Sequence, residues 1–450
     1  MRYRSVFDER PRLTVGQLAA FSLLSMPLAI LVLPLIVYLP AYYGKEQGLD
    51  LAVVGAIFLI ARALDALSDP VIGVLSDRTS AVIGPRKLWV LLAGGVLAAS
   101  VWVLCAPWFS VGPVLLLVLL VACYVAWSAV QVPYLAWAGE IAADYRERNR
   151  IVSAREAFGM VGIVVATASP LLFLPGGSPQ LGEVLRLYAV LIVGMLLVGL
   201  LGALAIPDAS HGRRDSHIRM SGLASAVWAN VPFVRAAGGM LLAMIGISIN
   251  NSVIVFIIER WWAAGSSYLN FLFLMYACSI PSVLLLPKIT VRMEKHVVFA
   301  CGCLVFSACY AGMLLVPTVG PWLAWMLFAV FGLSLPAIVV PMPSMAMDAA
   351  DLGDLRMRQP AMGAHMAVYS LLYKLSAALG VGVALPLLSV FGFAPAGANG
   401  PRALSALAWI GCVGPAFLLF VAAVLAWRHP LDSRAHGIIV RRLSRRRDRI

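Results

Sequence analysis

A chain of 450 residues that is 62% hydrophobic and 12% charged, with a mean hydropathy of +0.92, carries far more apolar surface than a water-soluble domain can bury, and reads as a polytopic membrane protein. Its formal charge of +13 would suit a nucleic-acid binder if the Lys and Arg were gathered on one folded face. They fall instead in short loops between apolar segments, so no nucleic-acid partner is expected.

Segments long and apolar enough to span a bilayer occur at about 15–41, 51–76, 88–106, 112–138, 157–175, 187–206, 233–258, 268–287, 297–316, 321–347, 362–391 and 404–427. The basic stretch before the first of them, and the length of that segment, argue against a cleaved signal peptide. Connections are short except for the polar stretch that follows residue 206. The expected organisation is therefore an all-α membrane protein of twelve transmembrane helices: an N-terminal six-helix half (1–206), a linker (207–232), a C-terminal six-helix half (233–430) and a basic tail (431–450).

Of the 34 Lys and Arg, 28 lie in the N-terminal stretch, the alternate loops and the tail that share one side, four lie on the other side, and Arg62 and Lys374 lie inside spans. The excess of positive charge on one side predicts that both termini are cytoplasmic, with the chain in the plasma (inner) membrane. The tail Arg441–Arg449 reads as a topology anchor or a contact to anionic membrane lipid. Prolines inside the segments, at 27, 34, 133, 281, 336, 341 and 386, predict kinks of the kind tolerated where helices line a cavity, or ordinary bending. The seven Cys lie mostly inside apolar segments and read as small core residues, implying neither a disulfide nor a metal site.

Charge is expensive at bilayer depth, so the second segment is the informative one. Arg62, Asp65 and Asp69 follow at i, i+3 and i+7 and share one helix face. That face cannot point at lipid unless water, a counter-charge or an ion meets it. An Arg62–Asp65 pair locking two helices together leaves Asp69 to be explained. A transport site explains all three. In the fourth segment Tyr124, Trp127, Ser128, Gln131 and Tyr134 recur at helical spacing. Such a face suits a sugar, whose C–H surfaces stack on rings while its hydroxyls bond amides and hydroxyls, and it equally suits helix packing. Asn250 and Asn251, midway along the seventh segment, are further polar candidates for solute contact or for bonding between helices.

Two sets of motifs carry a resemblance. The stretch Gly73–Asp77–Arg78, followed by Gly84 and Arg86–Lys87, resembles the pattern between spans two and three of the major facilitator superfamily, with a weaker echo from Pro287 to Lys295. Asp65-Ala-Leu-Ser-Asp69-Pro-x-x-Gly, then Val132-Pro-Tyr134 through Glu140, Asp144, Glu147 and Arg148, then Asp348-Ala-Ala-Asp351 ahead of Tyr369–Lys374, are similar to the signatures of the glycoside, pentoside and hexuronide:cation symporters. The resemblance implies a cation site at Asp65 and Asp69, with Ser128, Ser370 and Lys374 beside it. The charges agree: two carboxylates facing one ammonium leave one negative charge, which a monovalent cation, Na⁺, Li⁺ or H⁺, would neutralise. Arg155 resembles the family's arginine early in span five and joins Arg62, Tyr124, Trp127, Gln131, Tyr134, Asn250, Asn251 and Tyr373 as a candidate for the solute, and by the same resemblance Asp77, Arg78, Glu140, Asp144 and Arg148 would belong to a cytoplasmic gate. The chain departs from the melibiose-carrying type in having Met26 or Pro27, and Gln131, where that type holds its sugar with carboxylates.

The function expected is cation-coupled symport of a sugar-like solute by alternating access. A carrier of a lipid-like amphiphile and a membrane sensor or assembly protein that does not transport are the rivals. No nucleophile with a base, metal-ligand spacing or nucleotide loop suggests an enzyme or a cofactor beyond the coupling cation.

Overall fold

The structure is a computed structural model that describes residues 13–79, 81, 83–141, 145–174, 180–206, 229–290, 292–357 and 362–447. A backbone in hydrocarbon must satisfy its own N–H and C=O groups, and the described residues do so with twelve helices long and apolar enough to cross a membrane. In order they are α1 (Val15–Lys45), α2 (Leu51–Ser76), α3 (Pro85–Cys105), α4 (Pro113–Ala138), α5 (Arg150–Phe173), α6 (Leu181–Leu204), α7 (Val231–Trp261), α8 (Tyr268–Leu286), α9 (Lys295–Val319), α10 (Pro321–Gly353), α11 (His365–Val390) and α12 (Pro401–Trp427). A thirteenth helix, α13 (Ser433–Arg447), follows.

The chain divides into two compact units, 1–214 and 215–450, and each contains six spans. In the first, α1 packs on α5 and α6, α4 packs on α2 and α3, and α3 packs on α6. In the second, α7 packs on α11 and α12, α10 on α8 and α9, and α9 on α12. Adding six to each helix number of the first set yields the second, so the two units repeat one packing scheme.

Local chemistry sets the helix ends. Thr14 caps α1 in a capping box with Gln17, and the Asp50 carboxylate accepts from the N–H groups of Ala52 and Val53 at the start of α2. Glu46 accepts from Leu181 N at 2.7 Å and Gly182 N at 3.0 Å, occupying the N-terminus of α6 from the far end of α1. Lys87 does the converse, donating from Nζ to Ile206 O at 2.8 Å just beyond the last turn of α6. A cation at a helix C-terminus meets both the exposed carbonyls and the negative end of the dipole. Lys87→Met keeps the stem and removes the donor, so it is expected to cost about 1–3 kcal/mol. The loss is read as a lower thermal midpoint of the purified protein, with the response to ions unchanged.

Pro133, Pro336 and Pro386 each lie inside a continuous helix, as does Pro170. In α1 the effect of proline is larger. Helix breaks surround Pro27, and Pro34 opens a π-helical turn, Pro34–Tyr38. A second π-turn, Ile257–Trp261, lies in the equivalent span α7. Two helical stretches extend beyond the apolar segments. The helix that contains the span α5 begins at Tyr145, ahead of the apolar segment from about 157, because the charged run 146–155 continues the helix beyond its apolar part. The basic tail also contains a helix, which a search for apolar spans does not detect.

Candidate functional site

In the first unit the charged face of α2 meets the aromatic face of α4. Asp65 is completely buried. It accepts a hydrogen bond from Ser128 Oγ at 2.7 Å and pairs with Arg62 Nη1 at 3.5 Å. The Arg62 guanidinium lies 4.2 Å above the Tyr124 ring and 5.6 Å from that of Trp127, where the ring quadrupoles supply part of the counter-charge. Asp69 is half-buried one turn further along α2. Arg62, Asp65, Tyr124, Trp127 and Ser128 are thus in one cluster, built from the i, i+3 and i, i+4 spacings of two packed helices.

Ten residues, about 15 Å, along α4 from Tyr124, a second arginine–tyrosine stack joins α4 to α5. The Arg155 guanidinium lies 4.6 Å above the Tyr134 ring. Tyr134 Oη donates to Phe21 O at 2.7 Å, so its single proton is used and the 3.1 Å contact to Ser25 is one in which Ser25 Oγ donates. Tyr134 is consequently fixed to α1 by its hydroxyl and offers Arg155 its ring. Gln131 is half-buried between the two stacks. The buried Nε of Arg155 and Nε1 of Trp127 find no hydrogen-bond partner.

In the second unit Asn250 and Asn251 both line a cavity of about 70 Å³ whose other walls include Tyr276, Phe306, Tyr310 and Phe331. Asn250 Nδ2 donates to Gly411 O at 2.7 Å, tying α7 to α12. Ser370 and Lys374, at i, i+4, share a face of α11, with Ser370 exposed and Lys374 half-buried, and Tyr373 is exposed.

At the end of the first unit where α2 stops and α3 starts, Glu140 accepts from Arg86, Nη2 at 2.8 Å and Nε at 3.0 Å, while Arg86 Nη1 donates to Ser76 Oγ at 2.8 Å. Asp144 lies outside the described residues, as do the side chains of Asp77, Arg78 and Arg148. Glu147, buried, joins Arg150 at 3.2 Å and accepts from Leu13 N. The second unit repeats the first of these pairs: Lys295, opening α9, meets Asp348 near the end of α10 at 2.6 Å. His436 of α13 reaches Asp351 at 2.9 Å. Beyond α12, burial and then the nearby His296 and Arg235 push the His429 imidazole down to about 4, so it is uncharged at neutral pH. The pairings of Arg86, Lys295 and His436 were not read from the sequence. Arg86 and Lys295 open α3 and α9, equivalent helices of the two repeated halves, which is the signal that relates the first two.

The helices, their packing and these clusters can be compared with known proteins. The chain is similar to the inner membrane symporter YicJ of Escherichia coli, 34% identical over 149 residues, which are 31% of this chain and 32% of that protein. It is similar to the putative glycoside/cation symporter YagG of the same organism, 32% identical over 149 residues, again 31% of this chain and 32% of that protein. The matched stretch thus spans less than two thirds of either relative. Among solved structures the nucleoside transporter NupG superposes with a TM-score of 0.67 at 12% identity, covering 91% of this chain and 98% of that one, a likeness of fold, which is that of the major facilitator superfamily. A family model described as MFS/sugar transport protein matches residues 20–433, and the chain belongs to that family.

Proposed function

We propose that the protein is a secondary transporter that couples uptake of a sugar or sugar-like solute to a monovalent cation, Na⁺ or H⁺, by alternating access of its two six-helix halves. The observation that carries this is the wholly buried Asp65, held by Ser128 and Arg62, with Asp69 on the same face, in a chain of a sugar transport family. Ionisable groups at this depth cost several kcal/mol unless they work on an ion or a solute. The similarity to YicJ, an inner membrane symporter, and to YagG, described as a putative glycoside/cation symporter, supports it.

In this reading Asp65, Asp69 and Ser128 hold the cation, and the family resemblance assigns Ser370 and Lys374 to the same ion. Arg62, Tyr124, Trp127, Gln131, Tyr134, Arg155, Asn250, Asn251 and Tyr373 serve the solute. Asp77, Arg78, Glu140, Asp144 and Arg148 form the cytoplasmic gate. The N-terminal half (1–206) and the C-terminal half (233–430) rock about the site, and both termini face the cytoplasm at the inner membrane.

Solute affinity measured with and without Na⁺, and at several pH values, tests the coupling in wild type and in Asp69→Asn. Linkage requires that an ion which tightens solute binding be bound more tightly in return, with coupling typically of about 5- to 150-fold. The wild type is expected to show that response and the variant to lose it while still binding solute. Wild-type affinity indifferent to Na⁺, Li⁺ and pH, or a variant with the wild-type response, would falsify the assignment.

A further inference from the structure

Polar side chains at bilayer depth are normally paired with one another or with a backbone group, because the hydrocarbon around them supplies no water. The cavity of about 70 Å³ where α7, α8, α9 and α10 meet departs from that pattern. Of the polar residues on its walls, Asn250 is bonded through Nδ2 to Gly411 O. The side chains of Asn251, Tyr276 and Tyr310 take part in no hydrogen bond among the described residues. Tyr310 is only 2% exposed, so bulk solvent does not serve its hydroxyl either.

The remaining walls are rings and aliphatic groups. Phe331 lies 4.8 Å from Phe306, 4.9 Å from Tyr310 and 5.8 Å from Phe328, centroid to centroid. Met275, whose thioether favours an aromatic neighbour, is part of the same lining. No charged side chain among the described residues lines the space. Water alone fills such a space poorly, since an enclosed molecule needs about two to four polar partners and most of this surface is apolar. Size narrows the choice further. At about 10–15 Å³ for each water-sized group, the cavity admits roughly five to seven heavy atoms, which is one six-membered ring with one substituent and about half of a hexose. Edge-to-face and offset contacts between rings suit the walls. A substituent that both donates and accepts suits the Asn251 amide and the two tyrosine hydroxyls, which do the same.

We propose that this cavity is a binding site for a small uncharged phenol, a single aromatic ring bearing one hydroxyl, seated among Tyr276, Phe306, Tyr310 and Phe331 with its hydroxyl bonded by Asn251 and the tyrosines. A ring of the same size that carries a methyl group leaves those polar groups unpaired, and a saturated ring with a hydroxyl forgoes the contacts with the aromatic quadrupoles. The site adds a second ligand to a wall whose asparagines are given to the solute above. It is argued from the second unit alone and does not rest on the symport reading.

The test uses the purified full-length chain in nanodiscs, with empty nanodiscs as the blank for partitioning into lipid, and three probes of similar size: phenol, toluene and cyclohexanol. Phenol is expected to bind saturably at a single site per chain, at least about fivefold more tightly than either of the others, since both the hydrogen bond and the ring contact count. Leu335→Phe fills the cavity from α10, and phenol binding disappears. Tyr276→Phe combined with Tyr310→Phe keeps the rings and removes their hydroxyls, so the preference for phenol over toluene shrinks while toluene binding is retained. Should Leu335→Phe fail to fold, the wild-type preference and the tyrosine variant decide. No saturable binding of phenol above the blank means that the cavity holds water only, and overturns the proposal. Equal affinities for the three probes, phenol binding unchanged in Leu335→Phe, or a phenol preference untouched by the loss of both hydroxyls overturn it as well. The response of solute affinity to Na⁺ and pH is read separately, so the phenol site and the symport reading fail independently.

Discussion

Replacing Asp65 with Asn is expected to abolish cation-driven accumulation of solute and to destabilise the protein at the same time. The side chain is fully buried between α2 and α4, and the substitution leaves Arg62 inside the unit without its carboxylate. Removing one partner of a buried pair typically costs about 3–5 kcal/mol, because the remaining charge is desolvated and uncompensated. Loss of activity alone is therefore ambiguous, and a second variant separates the causes. Asp65→Asn with Arg62→Gln removes both charges, so stability should recover by a large part of that amount while ion-driven uptake stays absent. Thermal midpoints in detergent and uptake by proteoliposomes under an imposed Na⁺ or H⁺ gradient supply the two readings. Uptake restored in the double variant would show that the pair is structural and that the coupling ion sits elsewhere.

The second large effect concerns packing in the other half. A Cβ on Gly332, in α10, would collide with the backbone oxygen of Met275 and come within 2.8 Å of Cys278 Cβ, both on α8. A backbone oxygen cannot swing aside as a flexible side chain does, so the helices themselves must part. Helices in a membrane associate largely through such close approaches of small residues. Gly332→Ala is expected to cost about 3 kcal/mol, the upper end for overpacking, and Gly332→Leu to prevent accumulation of folded protein. Monodisperse Gly332→Leu with a wild-type thermal midpoint would show that α8 and α10 do not approach as described.

Hydropathy was enough to locate the twelve spans, since length and apolar content are what the bilayer demands. The cluster at Asp65 was legible for a similar reason: Arg62, Asp65 and Asp69 share a face by spacing alone, and charge buried in lipid needs company. Where a side chain reaches across to another helix, the sequence said much less. Tyr134 donates its hydroxyl to Phe21 O and Asn250 donates its amide to Gly411 O, partners that no spacing along the chain announces. Glu140 was placed in a charge cluster without the knowledge that Arg86 is its partner. Such pairings follow from the relative rotation and rise of neighbouring helices, which the ridges and grooves of many side chains set together. The helix α13 escaped because its residues are polar enough to look like a loop and basic enough to look like an anchor.

The bond from Glu46 to the start of α6 has a consequence for how the protein is made. It joins residues 135 positions apart, and α1 packs chiefly on α5 and α6 rather than on the helices that follow it in the chain. During synthesis, which proceeds from the N-terminus, α1 emerges before its main neighbours and is without them until four more spans have been translated. Until then its broken, proline-containing backbone has only lipid and the insertion machinery for company. A ribosome stalled after α4 would leave the α2, α3 and α4 group able to assemble and α1 waiting beside it. The late arrival of α6, whose first N–H groups need Glu46, is what closes the six helices into one body.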